Sequence, residues 1–189
     1  MDTYLTPIER PSGLVMKLVY WMTRRRFGKV MTPLKVISAR MPLAFGTWVG
    51  KVSRLDRKLS ISQELNILIR QQVARINVCE FCIDISRWFA LQQAHAVEKV
   101  DALEHYATSP LFSVAERAAL EFVTRLTRDK TVSPAVFHRV AEHFSERQIC
   151  DIAWVVASEH VYNLSNIAFN IHSDGFCKVD LSKPASAAA

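Results

Sequence analysis

The sequence predicts an all-α protein, and three observations support this prediction. Apolar residues recur at helical spacing, most clearly at Leu65, Leu68, Ile69, Val73 and Ile76. No stretch alternates apolar and polar residues as a half-buried strand does. Of the 189 residues, 50% are hydrophobic and 22% are charged, which is typical of a folded chain with a buried core. We therefore expect one helical domain with short additions at its ends.

The first 31 residues predict an arm followed by an amphipathic helix. Pro7 and Pro11 favour an extended arm over residues 1–12. Between Gly13 and Phe27, apolar residues recur near a helical period, and three arginines close the segment, as the helix dipole favours. Such a basic helix can bind an acidic membrane surface, but we expect it to pack on its own domain or on a second subunit.

The helical domain is predicted to span residues 32–177. In its first half the pattern predicts helices over Pro33–Ala39, Pro42–Val52, Ile61–Ile76, Cys82–Val97 and Val100–Tyr106. Ser60 or Ser62 is placed to cap the third of these, and Gln63 or Glu64 falls in its first turn.

In the second half of the domain, serines mark the starts of the predicted helices. The segments are Ser113–Arg128, Ser133–His143 and Ser145–Ala168. Ser113 and Glu116 have the spacing of a capping box, and Pro134 suits the first position of a helix. Residues 178–189 are polar and small, and they predict a flexible tail.

Charge and cysteine content exclude several classes of protein. The net charge is +6, but it is concentrated at Arg24–Arg26 and Lys51–Lys58 without interleaved aromatic residues, so we expect no nucleic-acid partner. The N-terminus lacks the features of a signal peptide, and no apolar run is long enough to span a membrane. Four cysteines without a disulfide-framework spacing suggest a reducing, cytoplasmic location.

The segment from Asn77 to Ser86 contains the residues best suited to chemistry. Cys79 and Cys82 fall on one face of a helical turn, where two thiols can form a disulfide, hold a metal or exchange electrons with a partner thiol. Arg75 and Arg87 are near enough in sequence to favour a thiolate, whereas Glu80 and Asp84 oppose it. The alternative is that both cysteines are simply small buried side chains.

These residues resemble the carboxymuconolactone decarboxylase and AhpD-like alkylhydroperoxidase superfamily. The resemblance covers about Thr32 to Cys177, and three blocks in the same order along the chain carry it. The first block is Pro33-Leu34-Lys35-Val36 with Asp56-Arg57-Lys58-Leu59-Ser60, and the second runs from Ile76 to Asp84. The third is Ser109-Pro110-Leu111-Phe112 with Glu116-Arg117, Phe144-Ser145, Tyr162-Asn163 and Asn166. The resemblance implies an AhpD-like helical bundle, here with an N-terminal helical extension.

The resemblance also implies an activity and its partners. In members with peroxidase activity the second cysteine attacks the hydroperoxide and the first resolves it as a disulfide, which a protein or small-molecule thiol then reduces. By motif position these roles fall to Cys82 and Cys79. Such proteins assemble as dimers, trimers or hexamers, so a homo-oligomer is expected. The sequence indicates no cofactor and no metal.

The sequence departs from the superfamily pattern at the proton relay. The relay histidine, four residues after the second cysteine, is replaced by Ser86, and the relay glutamate, twelve residues before the first, is replaced by Ile67. A serine hydroxyl does not accept a thiol proton near neutral pH as an imidazole does. Glu64 and His160 are candidate replacements, and Glu159 is placed to orient His160 in this hypothesis.

Other functions remain open at this point. Some members of the superfamily are decarboxylases or handle lactones, but they work without the cysteine pair. The missing relay favours a different hypothesis, in which the protein is a non-catalytic helical assembly module or a redox sensor. A zinc site is the weakest alternative, since it needs two further ligands from Cys150, Cys177 or a distant histidine.

Overall fold

The computed structural model describes residues 2–92 and 96–178, and the secondary structure in these ranges is helical, with no strand. The all-α prediction is therefore confirmed. The helices are α1 (Leu14–Phe27), a π-helical turn (Leu34–Ser38), α2 (Pro42–Asp56), α3 (Gln63–Ile76), α4 (Glu80–Leu91), α5 (Ala96–Asp101), a 3-10 turn (Leu103–His105), α6 (Val114–Asp129), α7 (Pro134–Ala141), α8 (Glu146–Ile167) and a 3-10 turn (Phe176–Lys178).

Local capping signals explain most of these boundaries. Ser62 caps α3, and its side chain accepts a hydrogen bond from the backbone of Leu65. Complete capping boxes begin α6 at Ser113 and α8 at Ser145. Three boundary predictions were wrong. Helix α2 continues past Val52 to Asp56, and α4 ends at Leu91, where backbone bonds from Gln92 complete the last turn, and does not continue to Val97. The helix expected over Val100–Tyr106 is the end of α5 and the 3-10 turn that follows it. Residues 93–95 and the predicted tail beyond 178 lie outside the described residues.

Helix α3 is the central element of the domain. It packs against α4, α6 and α8, and eight of its side chains are buried. Aliphatic side chains from α3, α6, α7 and α8 form the largest core cluster. A second cluster, rich in aromatic side chains, surrounds the two cysteines at the start of α4. This second cluster places the cysteines between α3 and α8.

The N-terminal extension packs on the domain through one face of α1. Met16 and Tyr20 are buried, and the Tyr20 hydroxyl donates a hydrogen bond of 2.8 Å to the carbonyl of Ile8. The opposite face leaves Leu14, Leu18, Trp21 and Met22 exposed. No helix within the described ranges has the length and hydropathy that crossing a membrane requires.

Candidate active site

A sharp turn between α3 and α4 positions the cysteine pair. Asn77 ends α3, and Val78 has a φ of 56°, in the left-handed region that β-branched residues rarely adopt. Its side chain is 72% exposed, so packing does not explain this conformation. The turn sets Cys79 at the N-cap of α4 and Cys82 in the first turn, where the helix dipole favours negative charge.

The two thiols lie side by side in the protein interior. Their sulfur atoms are 2.6 Å apart, and the residues are 1% and 3% exposed. The side-chain amide of Asn166 on α8 donates to Cys82 Sγ at 3.3 Å. The two sulfur atoms are not bonded to each other, and their separation brings them close enough for a disulfide to form.

The environment separates the pKa values of the two thiols. The hydrogen bond with Cys82 lowers the pKa of Cys79. The same bond raises the pKa of Cys82, and burial and the negative charge of Glu159 raise it further. Cys79 is thus the more acidic thiol, and Cys82 holds its proton more tightly.

A cavity of about 320 Å³ opens in front of Cys82. Most of its wall is apolar, and the apolar residues are Met31, Pro33, Leu34, Val49, Phe81, Ile85 and Phe89. Cys82 is part of this wall, whereas Cys79 is not among the lining residues. A small molecule in the cavity therefore meets Cys82 first.

One end of the cavity is polar and contains three charged side chains. Arg70 on α3 donates to Asp56 of α2 at 2.7 Å and to Glu159 of α8 at 2.9 Å. We call these three residues the Arg70 cluster. The Glu159 side chain is 7% exposed, and its other oxygen accepts a bond of 2.7 Å from the Asn163 amide. Burial raises the pKa of Glu159 even though Arg70 opposes the shift.

Ser86, which stands in the place of the relay histidine, lines the same cavity. Its hydroxyl is engaged by the backbone carbonyl of Cys82, at 2.6 Å, and by the side-chain oxygen of Gln71. Ile67, in the place of the relay glutamate, is buried in a separate apolar cluster. These two positions therefore provide no group that accepts a proton from Cys82.

The structure does not bring the other two predicted residues to the cysteines. Glu64 forms an ion pair with Lys99, which also binds Glu116 at 2.6 Å; we call these three residues the Lys99 cluster. The ring Nδ1 of His160 accepts a bond of 3.1 Å from Asn77. Neither Glu64 nor His160 lines the cavity.

His160 is nevertheless connected to the cavity through two amides. Asn77 also donates to Asn163 at 2.9 Å, and Asn163 in turn donates to Glu159. Burial lowers the pKa of His160, which agrees with a neutral ring that accepts a bond at Nδ1. The hypothesis that Glu159 orients His160 directly is not supported, because consecutive helix residues point in different directions.

The cations predicted from sequence also lie elsewhere. Arg87 binds both carboxylate oxygens of Asp101, and Arg75 lines a different cleft. Within the described ranges, no three His, Cys, Asp or Glu side chains are grouped as metal ligands would be. The charge near the thiols comes instead from Arg70, which sequence reasoning did not select, and from Glu159, which it considered only as a partner of His160. A signal existed, since Glu159 occupies the buried stripe of α8 that also contains Val155 and Val156.

Comparisons with known proteins agree with this description. No protein-family model matches the chain. The protein YnjA of Escherichia coli (strain K12) is 28% identical over 168 residues, which are 88% of this chain and 92% of YnjA.

Solved structures share the fold. The debrominase Bmp8 superposes with a TM-score of 0.80 at 22% identity, over 94% of this chain and 96% of Bmp8. A peroxidase-related protein from Ralstonia eutropha JMP134, described as an alkylhydroperoxidase AhpD core, gives a TM-score of 0.72 at 19% identity, over 92% and 94% of the two chains. The chain thus has the AhpD-like fold, and the resemblance seen in its sequence is confirmed at that level.

Proposed function

We propose that this protein is a thiol-based oxidoreductase that reduces a small organic hydroperoxide with Cys82 and Cys79. One observation carries the proposal: Cys82 forms part of a cavity wall, and the second thiol, which is not part of that wall, lies 2.6 Å from it. This arrangement suits a two-thiol reaction in which one sulfur meets the substrate and the other completes a disulfide.

The reaction balances with the two thiols as its electron source. The sulfur of Cys82 attacks the terminal oxygen of the hydroperoxide, the O–O bond breaks, and the leaving oxygen takes a proton to become an alcohol. Cys82 is then a sulfenic acid. The sulfur of Cys79 displaces its hydroxyl group, which leaves as water with the Cys79 proton, and a disulfide forms. An external thiol reduces the disulfide and restores the pair.

The cavity favours an organic substrate. Its wall is mainly aliphatic and aromatic, and an apolar substituent gains free energy there by leaving water. Hydrogen peroxide has no such substituent. We therefore expect cumene or tert-butyl hydroperoxide to react faster than hydrogen peroxide at equal concentration.

The test is a thiol count on the reduced protein before and after one equivalent of cumene hydroperoxide, with peptide mapping. Loss of two thiols with a Cys79–Cys82 link is expected. Cys82→Ser should abolish consumption, and Cys79→Ser should leave a sulfenic acid trapped at Cys82. Cys150→Ser is the matched control, since Cys150 is exposed and outside the site. Four unreacted thiols in the wild type would instead favour the assembly module or the redox sensor.

Reductive dehalogenation is a second candidate because of one observation. Bmp8, a debrominase, has been solved as a cysteine-to-alanine variant in complex with 2,3,4-tribromopyrrole. The electron count is the same: a C–Br bond is replaced by C–H, bromide leaves with a proton, and two thiols become a disulfide. Release of bromide from 2,3,4-tribromopyrrole by the wild type, and not by Cys82→Ser, would establish this activity in place of peroxide reduction or beside it.

A further inference from the structure

Hydroperoxide reduction needs two proton transfers at the cavity, and the residues at the relay positions perform neither of them. Cys82 must lose its proton before its sulfur attacks, and the leaving oxygen must gain one. The raised pKa of Cys82 makes the first step harder. Ser86 and Ile67 replace the relay residues, and the Ser86 hydroxyl is already engaged by Gln71 and a backbone carbonyl.

Glu159 is the carboxylate placed for both transfers. It lines the cavity together with Cys82, and its negative charge is close enough to the Cys82 thiol to raise the pKa of that thiol. Asp56 also lines the cavity, and Arg70 binds one of its oxygens at 2.7 Å, but Glu159 is the carboxylate whose charge raises the pKa of the Cys82 thiol. A carboxylate that lines the same cavity as the thiol can receive a proton from the sulfur and return it to the substrate.

We propose that Glu159 takes the proton of Cys82 as the sulfur attacks and then donates that proton to the oxygen that leaves. The inference rests on the proposed peroxide reduction. The S–H bond breaks as the carboxylate gains an O–H bond, the S–O bond forms as the O–O bond breaks, and the proton moves from Glu159 to the alkoxide. Glu159 ends the step ionised, as it began.

The surroundings of Glu159 fit this role. Arg70 holds one carboxylate oxygen and Asn163 the other, so the group is oriented in the absence of substrate. Burial makes Glu159 a stronger base than a surface glutamate, because it raises the pKa. The other charged and titratable side chains around this pair are Arg70 from α3, Asp56 from α2, Cys79 from the start of α4 and Tyr162 from α8.

The leaving group of the oxidant distinguishes proton donation from other effects. An alkyl hydroperoxide expels an alkoxide, which needs a proton as it departs, whereas an aromatic peracid expels a carboxylate, which does not. We compare single-turnover rates of reduced protein with cumene hydroperoxide and with perbenzoic acid. Glu159→Gln should slow the first reaction on the order of a hundredfold and the second less than about tenfold.

The ratio of the two rates does not depend on the fraction of folded protein. Glu116→Gln is the matched control: this carboxylate is also partly buried and paired with a cation, and glutamine preserves its capping box. It should leave both rates unchanged. Glu159→Asp, which keeps the charge and withdraws the carboxylate by one methylene, should give an intermediate ratio. Equal slowing with both oxidants removes the donation step, and no slowing removes both transfers. Either result overturns Glu159 as the carrier of the proton from the thiol to the leaving oxygen and leaves peroxide reduction intact.

Alkylation of Cys82 by iodoacetamide provides a measurement without peroxide. In a Cys79→Ser background, Glu159→Gln should move the rise of the alkylation rate at Cys82 to lower pH, because a negative charge next to the thiolate is removed. An unchanged midpoint overturns the charge interaction between Glu159 and Cys82 on which the role depends. A shifted midpoint in a protein that consumes neither oxidant supports that interaction and rejects the peroxidase.

Discussion

The Arg70 cluster and the Lys99 cluster contain the same kinds of charged group, but they shift the pKa of a carboxylate in opposite directions. Each joins three helices through one cation and two carboxylates, and each includes a residue of α3. The α3 members, Arg70 and Glu64, are six positions apart and so lie on different faces of the helix. One face looks into the cavity beside the thiols, and the other faces α5 and α6.

The difference appears in the carboxylates. Burial raises the pKa of Glu159, and Arg70 does not cancel that effect. Burial also acts on Glu116, but bonds from Lys99 and the backbone of Ser113 outweigh it and lower the pKa. An ion pair lowers the pKa of a buried carboxylate only where the hydrogen bonds and the nearby positive charge outweigh the cost of desolvation. The Lys99 cluster joins three helices through stable ion pairs, whereas the Arg70 cluster holds Glu159, the proposed base, in the same cavity as Cys82.

Removal of each cation should give the largest contrast. Arg70→Met leaves Asp56 and Glu159 facing each other in the interior, and we expect a loss of about 3–5 kcal/mol in the free energy of unfolding. Lys99→Met leaves carboxylates that reach water more easily, and we expect a loss of about 1 kcal/mol. Urea unfolding of both variants measures the difference. Equal losses would show that the two clusters are energetically alike.

The dependence of stability on pH should have opposite signs in the two clusters. The pKa of Glu116 is lowered by folding, so its contribution is present above the unfolded value of about 4.3 and is lost as the pH falls. The pKa of Glu159 is raised, so its contribution is present below about 4.3 and is lost as the pH rises through the folded value.

Two glutamine variants isolate these contributions. The stability of the wild type relative to Glu116→Gln should increase from acidic to neutral pH, while the stability relative to Glu159→Gln should decrease over the same interval. Urea midpoints between pH 4 and pH 8 provide both curves. Parallel curves would mean that Glu159 titrates like an ordinary ion-paired glutamate, and the contrast between the clusters would be lost.

The sequence predicted those parts of the fold that depend on neighbours in the chain. Ser62, Ser113 and Ser145 sit at helix starts because their side chains bond to backbone groups three residues away, and such signals are local. The end of α4 was missed because it carries no glycine or proline to mark it. The proximity of Cys79 and Cys82 follows from one helical turn, so it too was predictable.

The proton-transfer partner was not predictable from spacing. Glu64 was selected because it lies nearly one helical turn before Ile67, the position of the relay glutamate, yet Lys99 holds it in another cluster. Glu159 is 89 positions from Arg70, and packing of α8 against α3 alone brings them together. What the sequence offered was a charged residue on the apolar stripe of α8, which implies a buried partner without naming it.

Added salt should produce the smallest of these effects, which is a change in the coupling energy between the charged residues of each cluster. Double-mutant cycles pair Lys99→Met with Glu64→Gln, and Arg70→Met with Glu159→Gln, at about 0.05 M and about 1 M sodium chloride, where the Debye length falls from more than 10 Å to about 3 Å. The first coupling should be about 0.5 kcal/mol at low salt and decline toward zero, because ions reach this pair. The second should persist, because the Glu159 side chain is 7% exposed and is not screened by ions in the solvent. A coupling of Arg70 to Glu159 that disappears with salt would mean that water enters the polar end of the cavity freely, and Glu159 would then lose the desolvation that makes it a base for Cys82.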